Sequence, residues 1–159
     1  IKRIVNVKRQ MINIEDSKNI GILFNATNPN KVLTISQFAD QLKAQNRKVY
    51  LLGFQDVKDK EDPGPRIFNK ENVSFVGIPS GGKIDDFQKI NLDILICAFK
   101  DECLPLEYLA ATSEAKFRVG AFNQSKTNFY ELMINTGSNQ ELKYLLQQTL
   151  HFLKVINKK

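Results

Sequence analysis

Residues 92–120, LDILICAFKDECLPLEYLAATSEAKFRVG, constrain the fold more tightly than any other stretch. An unbroken apolar run is followed by a polar loop, a helix-like segment and a second apolar run. Continuous apolarity, as opposed to alternation, marks a strand covered on both faces, which is the habit of parallel sheets. Parallel neighbours cannot be joined by a tight turn. They need a crossover of a dozen or so residues, usually a helix. Pro105 falls near the first turn of that helix, where its missing N–H costs nothing. The stretch therefore predicts a strand over 92–99, a helix over 105–113 and a strand over 116–122.

The same grammar occurs upstream. NIGILFN at 19–25 is a compact apolar run, and ATNPNK after it is a turn built from Asn, Thr and Pro. Residues 32–45 read as an amphipathic helix with Ile35, Phe38, Ala39 and Leu42 on one face. KVYLLGF at 48–54 is the next strand. This is a βαβ unit, which implies a parallel sheet with right-handed crossovers.

Residues 55–72 break the pattern. They are charged and rich in Pro and Gly, so they predict a surface loop whose Asp59, Glu61 and Asp62 are solvated. Beyond them, 73–77 predicts a short strand and 84–89 a short helix. Residues 128–134 alternate and predict an edge strand. Residues 140–156 form the clearest helix, with Leu142, Leu145, Leu146, Thr149, Leu150, Leu153 and Ile156 on one stripe. The sum is an α/β fold: three layers, Rossmann-like, with helices on both faces of a mostly parallel sheet. Residues 1–18 are expected as a basic N-terminal arm and 19–159 as one domain.

Composition excludes several classes. With 42% apolar and 25% charged residues over 159 positions, the chain can bury a core without help from disulfides or metals. Cys97 and Cys103 match no zinc or redox spacing, which predicts a reduced, cytoplasmic protein. No apolar run reaches the roughly 18 residues of a membrane span. The net charge is +6, and the excess sits at the ends. Lys2, Arg3, Lys8 and Arg9 precede the first acid, Glu15, and Lys154, Lys158 and Lys159 close the chain. Basic ends suit RNA, a ribosome, an anionic lipid surface or an acidic protein partner. Few aromatics interleave with them, so any nucleic-acid contact would be directed at phosphates and weakened by salt.

Chemistry-bearing motifs are sparse. GIPSGGKI at 77–84 has Gly77, Gly82 and Lys83 at phosphate-loop spacing, with Gly81 beside them. Such a loop surrounds phosphate with backbone N–H groups and bridges the outer phosphates with Lys. It also needs a hydroxyl for magnesium, and Ile84 stands in that place. Asn25, Thr27 and Asn28 follow the first strand and are a second candidate set. They read equally as a turn and a helix cap. His151 is the only histidine and is expected on the polar face of the last helix. That disfavours Ser-His-Asp and Cys-His systems and removes histidine-rich metal sites by count. No G-x-G-x-x-G follows a strand, so no dinucleotide or other cofactor is expected. In sheets of this kind ligands bind beyond the carboxyl ends of strands, which directs attention to the loops after Phe24, Phe54, Gly77 and Phe99.

NIGILFNAT at 19–27, KVYLLGF at 48–54, LDILI at 92–96 and AKFRVG at 115–120 together resemble a family of small uncharacterised proteins from Bacteroidota, a domain of unknown function. The resemblance covers nearly the whole chain and implies a cytoplasmic, single-domain α/β protein. DILI at 93–96 with 115–120 is also similar to the N-terminal half of heptosyltransferase-type glycosyltransferases of the two-domain GT-B fold. Those enzymes commonly carry a second Asp where Cys97 stands, and their second domain holds most of the nucleotide-sugar donor. That likeness implies the fold and argues against independent glycosyl transfer. The reading is then a non-catalytic accessory or binding subunit with a protein partner. A phosphate- or nucleotide-type ligand domain and an RNA- or ribosome-associated factor are the alternatives.

Overall fold

The computed structural model describes residues 7–123 and 130–158. Its strands are β1 (Asn19–Asn25), β2 (Lys48–Gln55), β3 (Ile67–Asn69), β4 (Ile94–Ala98), β5 (Phe117–Ala121) and β6 (Leu132–Ile134). The helices are α1 (Pro29–Lys43), α2 (Gly82–Lys89), α3 (Leu104–Thr112) and α4 (Leu142–Val155). The six strands form one sheet in the order β3-β2-β1-β4-β5-β6, and every neighbouring pair is parallel. This is the three-layer, Rossmann-like α/β arrangement expected from the pattern of runs.

Residues on alternate sides of each strand feed two separate cores. Ile20, Ile22 and Phe24 of β1 face the same way as Ile94 and Ile96 of β4 and Phe117 and Val119 of β5, and they pack against α1 and α4. Leu23, Leu52, Leu95 and Cys97 face the other way and pack with Phe87 of α2 and Leu106 and Leu109 of α3. Phe68 and Phe117 are among the largest fully buried side chains. Each is worth about 1.5–3 kcal/mol relative to exposure.

Three local readings differ from the structure. Residues 73–77 are not a strand: Val73 forms one antiparallel bridge to Pro79, and the chain between them reverses in a tight turn. The loop expected over 55–72 contains β3, three residues long, which pairs in parallel with β2. A three-residue strand surrounded by Pro, Gly and charge leaves no periodic signal. Helix α1 starts three residues before its expected first residue, because Asn28 caps it and Pro29 occupies its first turn. The edge strand expected over 128–134 is described only as β6, and 128–129 lie outside the described residues.

Residues 10–18 are tied to the segments just before β5 and β2 and to the end of α4. The Gln10 N–H donates to the Lys116 carbonyl at 3.0 Å, and Ile12 and Ile14 enter the α1/α4 core. Lys2 and Arg3 lie outside the described residues. Among the described residues, no helix is long and apolar enough to cross a membrane.

Candidate binding site at the carboxyl edge of the sheet

Strand order changes direction between β1 and β4, so the crevice outside their carboxyl ends is the natural ligand position. A cleft of about 530 Å³ opens there on the α2/α3 side. Residues that follow Phe24, Phe54 and Phe99 contribute to it, whereas residues 78–83, the loop after Gly77, do not. Asn25 comes from the end of β1, Asp56 follows β2, Gly77 lies in the turn, and Cys103 follows β4.

The candidate residues are divided by this geometry. Asn25 and Gly77 reach the same cleft. Thr27 and Asn28 do not line it. The Thr27 hydroxyl accepts the Asp56 N–H at 2.9 Å, and the Asn28 carboxamide accepts the Asn30 N–H at 2.8 Å. The first ties the β1–α1 loop to the end of β2, and the second caps α1. Asn25 also closes a turn by accepting the Thr27 N–H at 3.0 Å.

Gly81, Gly82 and Lys83 are turned to a different task. Gly81 takes φ +130 immediately before α2, a conformation that side chains resist, and Gly82 begins the helix. The Lys83 ammonium donates to Asp62 at 2.5 Å, to the Gly64 carbonyl at 2.6 Å and to the Ile67 carbonyl at 2.9 Å. Its three protons are thus all directed at the 56–66 loop and the start of β3. The hydrogen bond from Lys83, with another from the Gly64 N–H, holds the Asp62 carboxyl below its ordinary range. Ile84, at the magnesium position of a phosphate loop, is buried in the α2/α3 core. The glycine run starts a helix and aims a lysine at a loop.

The cleft's rim is its least ordinary feature. The Gly77 N–H donates to the Ser74 carbonyl at 2.9 Å, closing a four-residue turn in which Gly77 has φ +87. The Ser74 N–H reaches the Ile78 carbonyl at 3.0 Å and the Ser80 N–H reaches the Asn72 carbonyl at 2.8 Å, so the hairpin is pinned below its tip. Positions at such a tip usually carry polar residues or glycine. Here they are Phe75, at 102% relative exposure, and Val76, at 59%. Leu104, at 55%, adjoins Gly77 and extends the same apolar rim. Lys70 and Asp56 form an ion pair at 3.3 Å beside it. Sequence reasoning passed over Phe75 because VSFVG is rich in strand formers; the signal was a Ser-x-x-Gly frame holding two bulky apolar residues.

Neither thiol is poised for chemistry. Burial pushes the Cys103 thiol up to about 11 and the Cys97 thiol to about 12, the latter despite a hydrogen bond with Tyr130. His151 is exposed on α4 as expected, edge-on to Phe152. Lys8 is exposed, whereas Arg9 donates to the Ala115 carbonyl and pairs with Glu131 at 3.4 Å. Among the described residues, no three His, Cys, Asp or Glu side chains gather as a metal site.

A family model for a family of unknown function, DUF6913, matches residues 1–156. The chain belongs to that family. No curated protein matches the chain. Family membership of DUF6913 thus accompanies the Rossmann-like fold without adding a reaction to it.

Proposed function

We propose that this member of DUF6913 is a non-catalytic binding subunit that docks a protein partner through the rim of Phe75, Val76 and Leu104. One observation carries the reading: a phenylalanine held wholly in solvent on a hydrogen-bonded turn. An exposed aromatic on a preorganised support is the kind of group that becomes an interface anchor, since little ordering entropy remains to be lost. The adjoining cleft gives a partner's side chains a concave surface, and Lys58, Lys70 and Glu102 give it a polar border. We take the setting to be the cytoplasm of a member of the Bacteroidota.

The test compares tagged wild type with Phe75→Ser in the native cell, at low and raised salt and with and without nuclease. A stoichiometric protein should accompany wild type at raised salt and disappear with the variant. Because Phe75 is wholly exposed, the variant's stability should stay within about 0.5 kcal/mol of wild type. Retention of the partner by the variant, or robust turnover by the pure protein, overturns the proposal. Ribosomal material lost with salt or nuclease would favour the RNA reading instead. Among the described basic N-terminal residues that reading rests on Lys8, since Arg9 is engaged within the fold.

A small ligand in the same cleft is the second reading, favoured by the convergence of Asn25 and Gly77. A phosphate or nucleotide would be held there without Lys83. A glycosyltransferase-like origin fares no better on residue roles. Asp93 accepts the Lys18 and Asn19 N–H groups at 2.8 and 3.0 Å at the opposite, amino end of the sheet, and Cys97 is buried.

A further inference from the structure

On the other face of the sheet, α1 and α4 run side by side with a groove of about 510 Å³ between them. That volume is within the range of small-molecule sites. Phe38, Leu146 and Leu150 form its floor. Thr34, Gln37 and Gln41 form the α1 wall, at the three- and four-residue steps that share a helix face. Lys143, Gln147, His151 and Lys154 form the α4 wall in the same manner. Among the described residues no carboxylate lines the groove, and α4 contains no Asp or Glu. Lys143 and Lys154 stand eleven residues apart, about 16 Å along the helix, so a cation guards each end of an apolar floor. The amides between them both donate and accept.

We propose that this groove is a second binding site, taking a soluble amphiphilic anion: a carboxylate with an unbranched apolar tail. The tail would lie over Phe38, Leu146 and Leu150, and the carboxylate would meet Lys143 or Lys154. The charge selects the sign of the ligand, and the two facing helix walls leave room for one tail between them. This site is separate from the Phe75 rim, and its test does not depend on that reading.

The experiment titrates the full chain with dodecanoate below its micellar range. Dodecyltrimethylammonium serves as the cation with the same tail. Binding is read by calorimetry and by backbone amide NMR shifts. Dodecanoate should bind saturably at one site with shifts confined to α1 and α4, and the cation should not. The double variant Lys143→Glu, Lys154→Glu changes two exposed side chains and should weaken dodecanoate by about tenfold or more. Equal binding of the cation, unchanged affinity in the variant, absence of saturation, or shifts centred on the Phe75 cleft would each overturn the proposal. So would binding only to phosphatidylglycerol vesicles and not to free dodecanoate.

Discussion

At the scale of single residues, Asp93 shows how one side chain can organise a sheet edge. Its carboxylate accepts the Lys18 and Asn19 N–H groups and pairs with Lys116 at 3.3 Å, so it fixes the starts of β1 and β5 from the start of β4. Partial burial works against its ionisation, but the two backbone hydrogen bonds and Lys116 prevail and hold its pKa below the ordinary value. Asp93→Ala should lower stability at neutral pH by about 1–3 kcal/mol, because two N–H groups lose their acceptor. A depressed carboxyl stabilises the fold fully above its unfolded value, about 3.9, and less as pH falls through the folded value. Urea midpoints for wild type and variant should therefore differ most near neutrality and converge in acid. A gap that grows on acidification would sink this account. Gly120 is a second such residue. A Cβ there would overlap the Tyr130 ring that lies across it. Gly120→Ala should destabilise by about 1–3 kcal/mol through overpacking and shift tyrosine emission, which no tryptophan obscures in this chain. An unchanged melting curve would mean the ring has room to move aside.

At the scale of elements, the legible parts were those with a period. β1, β2, β4, β5 and α4 are long enough for apolar runs or a helical stripe to identify them, and each was expected within a few residues of its place. What escaped lacked a period. β3 is three residues inside a loop-like composition, and the Ser-x-x-Gly frame of the 74–77 turn is hidden by the strand-forming residues it holds. Candidate-site residues were harder still, because a motif fixes spacing but not direction. Lys83 has phosphate-loop spacing, yet its ammonium clamps the 56–66 loop. Lys83→Met should release that loop. Trypsin should then cut faster at the exposed Lys58, Lys60 and Arg66, while global stability falls by no more than about 1–2 kcal/mol. Inorganic phosphate should leave the wild-type cleavage rate unchanged. Protection by phosphate would restore the phosphate-loop reading.

At the scale of the whole molecule, the two cores share a sheet. β1 and β4 lie at its centre, and each sends alternate residues to opposite faces, so neither core can dissolve while the other keeps its strands intact. Such coupling predicts one cooperative transition. The chain provides a test of this. Three of its four tyrosines, Tyr50, Tyr108 and Tyr130, pack against the α2/α3 core, so tyrosine emission reports mainly that face, whereas far-ultraviolet dichroism reports helices on both. The two signals should trace the same urea curve. Leu153→Ala then tests the coupling from the far side. Leu153 is fully buried against the α1/α4 face, and truncating it should cost about 2–5 kcal/mol. If the sheet joins the cores, that loss moves the tyrosine midpoint as far as the dichroism midpoint, although no mutated atom touches the tyrosine side. A tyrosine transition left in place while the dichroism shifts would mean that the α2/α3 layer stands by itself. The two proposed binding surfaces would then rest on separately folding layers.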